Sequence, residues 1–505
     1  MNIRFDKYIS LAVAVIAFGA CDLDLTPTDG IVYQEGKPLF LTQADINSFD
    51  NGLHATFRSL YYGVDSQTQE LMCDGFNATQ NYNGHYDFIH RADDSFTTSD
   101  SDVESIWGAN YIAIKNYNIV INSADNVSDD LRASARIMKG HAYFYRACSY
   151  LTLIRHFAKA YNESTASSDL GVPLVLEYNQ LEKPARSSVQ AVYDAIKADL
   201  DSASVILANQ AGSPRSDVPT IDAVNAVYAR YYLDVKNYPK AAESAELVIN
   251  SSAKYALASN SDEMELEYVQ DGGNEPIMQM YASKTEGAAA NLMYLGEGGV
   301  GNDSKVGKYF ASYYIPTKNL LDKYEIKDVR YNAWFTTKYP FRYSGSTFQK
   351  GIIVFVKYLG NPNLYSGELE TGAQSVKPLL IGEQYLIAAE AYFQNGETAQ
   401  AKAELNALQT KRGATLTSAT LENIKTEWFK ETVGEGLRMS CLKRWGDGTE
   451  PRTPQTTAAE KGIIITGASF DKRVLSADDY HFNWPIPQYE VRVNPNLVPN
   501  PGYSD

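Results

Sequence analysis

Residues 229–241 read Ala229-Arg-Tyr-Tyr-Leu-Asp-Val-Lys-Asn-Tyr-Pro-Lys-Ala241, and residues 389–401 read Ala389-Glu-Ala-Tyr-Phe-Gln-Asn-Gly-Glu-Thr-Ala-Gln-Ala401. In each, a segment rich in Ala and Tyr runs into a short turn. A second helix then begins with Ala about three residues past it. Small side chains at these positions let two helices approach closely, so both stretches predict a helix–turn–helix pair.

The pairs resemble units of tetratricopeptide repeats, which recur every ~34 residues when in tandem. Here the copies start at 229 and 389, so something is inserted between them. Helical periodicity extends to both sides. Ile137, Tyr143 or Phe144, Ala147, Leu151, Ile154 and Phe157 share one face of a helix over 132–157. Val189, Val192, Ile196, Leu200, Ala203 and Leu207 repeat at three and four, as do Ile221, Val224, Tyr228, Tyr231 and Val235.

The stretch 255–375 has a different texture, rich in Gly, Asn and Tyr, with short β-like runs such as Gly351-Ile-Ile-Val-Phe-Val-Lys-Tyr358. Trp334, after Asp328-Val-Arg330, reads as part of a strand. The expected fold is therefore mostly α, with irregular helix–turn–helix units carrying an insertion of loops and short strands. Its expected parts are an N-terminal helical part (43–254), the insertion (255–375), which faces the ligand, and a C-terminal part (376–505) completing the same globular unit. Binding residues concentrate on loops held by a rigid frame.

The first residues carry an address. Arg4 and Lys7 precede an apolar run from Ile9 to Phe18, too short for the ~20 residues of a membrane span. Phe18-Gly19-Ala20-Cys21 then places small residues before a Cys. This resembles the lipobox of bacterial lipoproteins. Residues 1–20 are expected to be a signal peptide and Cys21 the lipidated N-terminus, followed by an extended tether over 21–42. Each buried acyl CH₂ contributes roughly 0.8 kcal/mol to anchoring. Asp22 and Asp24 after the Cys resemble tags for the outer face of the outer membrane.

Composition excludes several functions. The chain carries a net charge of −16; residues 1–20 hold Arg4, Lys7 and Asp6, a net +1, so the remainder carries −17. A surface that acidic repels phosphate backbones, which argues against nucleic-acid binding. Cys73, Cys148 and Cys441, without a CxxC pair, suit buried thiols better than a disulfide framework or zinc site. Gly296-Glu-Gly-Gly-Val-Gly301 matches GxGxxG, but the following Asn302-Asp-Ser-Lys does not open a helix, so it reads as a loop. No HExxH or GxSxG occurs, and His85 and His90 have no Cys nearby, so neither a metal nor a catalytic centre is expected. Asp93-Asp94 and Asp100 to Asp102 suit either solvated loop acids or a structural Ca²⁺ site. No other cofactor is expected.

The C-terminal third resembles the SusD/RagB nutrient-binding lipoproteins. Glu390-Ala391-Tyr392 looks like that family's repeat helix. Glu435-Gly436-Leu437-Arg438 and Leu442-Lys-Arg-Trp-Gly446 resemble its Glu-Gly-x-Arg and Leu-x-Arg-Trp-Gly stretches. Trp484-Pro-Ile-Pro-Gln-Tyr-Glu490 and Asn494-Pro-Asn-Leu-Val-Pro-Asn-Pro-Gly-Tyr503 resemble its ending. Trp107, Tyr111, Asn116 and Asn122, Tyr143 to Ala147 and Gly171-Val-Pro-Leu174 fit earlier blocks, so the likeness spans nearly the whole chain. Glu427 to Thr432 carries less charge than usual there, and Pro499 stands where Gln is common. The resemblance implies four irregular tetratricopeptide-like units. It also implies a non-catalytic lid that hands oligosaccharide, or in some members peptide, to a SusC-type TonB-dependent transporter.

Sugar recognition needs flat aromatic faces with amides and carboxylates around them. Two stretches offer the mixture. Phe76 to Asp87 interleaves Phe76, Tyr82 and Tyr86 with Asn81, Asn83 and Asp87, and the insertion adds Tyr294 and Tyr309. For each aromatic the competing reading is loop packing. Trp107, Trp334, Trp428, Trp445 and Trp484 read as structural. An exported glycoside hydrolase is the alternative from another class, and its carboxylate pair would have to be found among 61 acidic residues.

Overall fold

A computed structural model describes residues 38–503 except Tyr62, Gln180, Gly287, Ala288 and Asn291. The signal segment, Cys21 and all of the tether up to residue 37 lie outside the described residues. No described helix is long and apolar enough to cross a membrane.

Eleven main helices frame the molecule. They are α1 (Gln43–Leu60), α2 (Val64–Met72), α3 (Ser101–Ser123), α4 (Arg132–Phe157), α5 (Val189–Leu207), α6 (Ile221–Asp234), α7 (Tyr238–Ile249), α8 (Ile381–Gln394), α9 (Thr398–Lys411), α10 (Leu421–Glu431) and α11 (Arg438–Trp445). Their starts follow capping chemistry. Thr42 and Asp45 form a reciprocal capping box on α1. Asp100, Ser188, Thr220 and Thr420 each accept a main-chain N–H at the head of α3, α5, α6 and α10.

From α3 to α9 each helix packs on the next, and α1 lies against α3 and α4. The α4–α5 contact is close because Gly140 faces Ile206: a Cβ there would lie 2.6 Å from the Ile206 methyl. Ala242 and Ala245 on α7 and Ala388, Ala389 and Ala391 on α8 are buried. The two similar sequence segments are therefore neighbours in space, as α6–α7 and α8–α9, joined through the α7–α8 contact. Their turns match bond for bond. Asn237 N–H donates to the Tyr232 carbonyl at 2.8 Å, and Glu397 N–H to the Tyr392 carbonyl at 2.8 Å. At the same point Lys236 and Gly396 both have positive φ, 59° and 82°.

Between α7 and α8 the chain leaves the helical stack and makes short antiparallel pairs. Pro276–Met278 pairs with Leu379–Leu380 and closes the base of the excursion. Phe76–Ala78 pairs with Tyr314–Pro316, and Phe335–Thr336 with Val354–Phe355. Two hairpins project, Gly301–Asp303 with Gly307–Tyr309 and Phe341–Tyr343 with Thr347–Gln349. Trp334 corrects the strand reading. It ends a six-residue helix, Val329–Trp334, started by the Asp328 side chain, and its ring is fully buried. The glycine-rich 296–301 run is a loop leading into the first hairpin.

A buried ionic network fixes the insertion to the C-terminal helices. Arg412 donates to both Glu275 oxygens at 2.6 and 2.9 Å and also pairs with Glu431. Arg330 reaches Asp328, Glu427 and Glu431. Arg444 and the Trp445 indole N–H converge on Glu390 of α8, and Arg438 is bidentate to Asp74 at 2.9 and 2.8 Å. The family-like motifs of the C-terminal third thus serve packing. Cys73, Cys148 and Cys441 are buried free thiols, as expected.

Candidate ligand-binding face

The strand Phe76–Ala78 leads into an exposed loop. Thr79 anchors it by donating to the Ser312 carbonyl at 2.7 Å. Asn83 and Tyr86 then take left-handed backbone, φ 49° and 53°, which Asn tolerates and Tyr adopts at a cost. The loop therefore turns sharply and lifts Asn83, Gly84 and His85 into solvent.

Two predicted residues meet here through a third. The Asn81 side-chain amide donates to the Arg342 carbonyl at 2.7 Å. The Arg342 guanidinium in turn lies 4.6 Å from the Tyr309 ring centroid and donates to its hydroxyl at 2.7 Å. Phe348, from the same hairpin as Arg342, sets its ring edge-on to Tyr309 at 5.5 Å. Across the strand pair, the Tyr309 ring occupies the space a side chain at Gly301 would need. Beside this group, exposed His85 stacks on Tyr313 at 4.6 Å and 17°. Burial and the nearby Glu297 carboxylate push the Tyr313 hydroxyl above its usual pKa, so it stays a neutral donor.

Phe76 and Tyr294 correct the expectation of ligand contact. Both are fully buried, with rings 4.8 Å apart and each against Phe355. Strand pairing with Tyr314–Pro316 turns Phe76 inward, so packing wins over exposure there. Tyr82, Tyr86 and Asp87 are half-buried and brace the loop from beneath. The Tyr82 hydroxyl donates to Asp87 at 3.0 Å, and burial and that bond push its pKa up to about 12. Asp87 also pairs with Arg91 at 2.8 Å. Asn83 is exposed at the loop tip. Asp93 and Asp100 use their carboxylates on local turns, accepting Ser95 N–H and the head of α3 respectively.

Sequence reasoning missed Tyr313, Arg342 and Phe348. The signal was available in the alternation Phe341-Arg342-Tyr343 and Thr347-Phe348-Gln349 around Ser344-Gly345, a hairpin pattern. The face thus offers ring surfaces, a guanidinium and amides, with the buried Tyr313 ring backing His85. Two carboxylates here are engaged, Asp87 by Arg91, and Glu370 by Lys308 at 2.7 Å and Tyr339 at 3.2 Å, while Glu297 is exposed.

A second polar space lies deeper, between the repeats and the C-terminal part, lined by Gln69, Arg155, Arg230, Lys377, Glu435 and Gly436. At about 90 Å³ it falls well below the ~300–1,000 Å³ of ligand pockets. Its charges are spent on each other's neighbours: Arg155 on Asp234, Arg230 on Glu383, Lys377 on Asp271 and Glu435 on Lys357. It is a structural seam.

Comparison with known proteins agrees with this architecture. A family model described as the SusD family matches residues 248–503, and one described as "Starch-binding associating with outer membrane" matches 32–233. SusD-like protein P2 of Formosa agariphila is 25% identical over 98% of this chain and 99% of its own. A SusD superfamily crystal structure from Bacteroides thetaiotaomicron superposes with a TM-score of 0.74 at 23% identity, covering 91% of this chain and 100% of that one. A laminarin-binding SusD-like protein superposes with a TM-score of 0.70 at 18% identity, over 92% and 100% of the two chains. Matched by the family model over half its length, and by SusD-superfamily folds over nine-tenths of it, the chain belongs to the SusD family.

Proposed function

We propose that this protein binds an oligosaccharide on the face formed by Asn81, Asn83, His85, Tyr309 and Arg342. It does no chemistry on the ligand and passes it to a SusC-type TonB-dependent transporter. The observation that carries the reading is the Asn81–Arg342–Tyr309 assembly, in which an aromatic ring is held at the surface by hydrogen bonds. A sugar ring presents C–H faces that pack on aromatics and hydroxyls that seek planar donors and acceptors, and this surface supplies both. The family model over 32–233 is described as starch-binding, and one structural neighbour is laminarin-binding, which supports a glycan.

The lipid anchor at Cys21 would hold this lid at the outer face of the outer membrane. Cys21→Ala is expected to release the protein from the membrane fraction, and unchanged association would remove the anchor from the account. The ligand class is tested by calorimetry of the purified protein against a panel of α- and β-glucans, other glycans and peptides. Saturable heat with a glycan is expected. Binding of peptides alone would move the protein to the peptide-handling branch of the same lid role.

A further inference from the structure

Away from the ligand face, α1 and α4 bring together three groups that the sequence separates widely. Asp50 and His54 stand one turn apart on α1, and His141 stands opposite on α4. His141 Nδ1 lies 2.8 Å from Asp50 Oδ1, and His54 Nε2 lies 3.6 Å from the same oxygen. One ligand atom from each residue fits within a 4.8 Å span. In a tetrahedral site with bonds of ~2.0–2.1 Å, donor atoms sit roughly 3.3 Å apart. The observed separations bracket that value, so small side-chain movements would close the set around one ion.

A further contact sets the orientation. The other nitrogen of His54, Nδ1, is 2.6 Å from the hydroxyl of Tyr145, which stands one turn from His141 on α4 and is fully buried. Metal-binding imidazoles characteristically hold their second nitrogen on such a partner, which fixes the ring and leaves the ligating nitrogen free. Here Tyr145 leaves Nε2 of His54 facing Asp50. The three side chains are unequally sheltered: His141 is 5% exposed, His54 16% and Asp50 22%. The open side lies toward Asp50 and His54, where a water molecule would complete the coordination.

We propose that Asp50, His54 and His141 form a site for a divalent transition metal, Zn²⁺ by preference. Two imidazoles and one carboxylate suit Zn²⁺ and its neighbours, whereas Ca²⁺ and Mg²⁺ seek six or more oxygens. The ion would staple α1, the first described helix after the N-terminal segment, to the long α4. The proposed metal ligands share no residue with the candidate ligand face, so failure of one reading leaves the other standing.

The test is a calorimetric titration of Zn²⁺ into the untagged, chelator-stripped protein, with Co²⁺ absorption as a second readout. One-to-one binding and the visible bands of tetrahedral Co²⁺ are expected, together with a rise in Tm on adding Zn²⁺. His54→Ala and His141→Ala are expected to abolish stoichiometric binding. Tyr145→Phe, which keeps the ring, is expected to weaken it about 10-fold. Circular dichroism of each metal-free variant separates lost ligation from lost folding, and His54→Ala, less sheltered than His141, is the variant less exposed to that confusion. Absence of one-to-one binding by the unmodified protein overturns the proposal. So does binding that folded His54→Ala and His141→Ala variants retain at full strength.

Discussion

The Arg342 guanidinium sits 4.6 Å from the centroid of the Tyr309 ring and donates to its hydroxyl at 2.7 Å. The two residues come from different hairpins of the insertion, and their contact fixes the ring at the edge of the face. Tyr309→Ala should therefore weaken glycan binding by about 1–3 kcal/mol, roughly 5- to 150-fold in Kd, with little change in stability. Phe76→Ala is the contrasting experiment. It should cost about 3–5 kcal/mol of stability, because the ring is fully buried against Tyr294 and Phe355. The protein that remains folded should bind as before. Calorimetry and urea unfolding of both variants separate the two outcomes.

Arg412 lies buried between Glu275 and Glu431. Arg412→Met keeps much of the side-chain volume, strands Glu275 without its cation and leaves Glu431 with Arg330 alone. A loss of about 3–5 kcal/mol in urea unfolding is expected, since removing one partner strands buried charge. A change below about 1 kcal/mol would mean that water screens the network.

Stability should peak on the acid side of neutrality. Burial works against the charged form of Glu431, but Arg412 and Arg330 outweigh it and lower its pKa from 4.5 to about 2. Its contribution is present above about pH 4.5 and is lost as pH falls toward 2. Glu70 and Glu435 are shifted the other way by burial, each up to about 7. Between pH 4.5 and 7 the unfolded chain releases these two protons while the folded chain retains them, so stability falls as pH rises through that window. Urea midpoints at pH 3, 5 and 7 should be highest at 5. Glu70→Gln, which still offers an acceptor to the Gly436 and Leu437 N–H groups, should flatten the decline from 5 to 7.

Lys236 and Gly396 occupy the same place in the two matching turns, and only one of them is suited to positive φ. Lys236→Gly should raise stability by up to about 1 kcal/mol, and Gly396→Lys should lower it by a similar amount. Thermal unfolding of both variants checks the pair.

The helical frame was legible because its signal is local. The apolar spacing over 132–157 and 189–207 matches α4 and α5 residue for residue, and Ser188 and Thr220 announce their helices by side chains that cap them. The insertion was legible only in texture. Its strands are two or three residues long, too short to show alternation, and the Asp328 cap makes a helix where Trp334 read as strand. At the candidate face the residue types were legible but not their directions. Phe76 and Tyr309 sit in similar Asn- and Gly-rich surroundings, yet pairing with Tyr314–Pro316 buries one, and Arg342 holds the other at the edge. The Asp50–His54–His141 cluster was invisible because helix packing, not spacing along the chain, assembles it.

The central claim is that the Asn81–Arg342–Tyr309 face binds glycan without cleaving it. The most direct test titrates a glycan that gives saturable heat into the unmodified protein and into the Tyr309→Ala/Arg342→Ala double variant, then recovers the sugar for chromatography. The account predicts loss of binding in a variant that still folds, with the sugar recovered intact. Undiminished binding by the folded double variant, or shortened sugar after incubation with the unmodified protein, would contradict it.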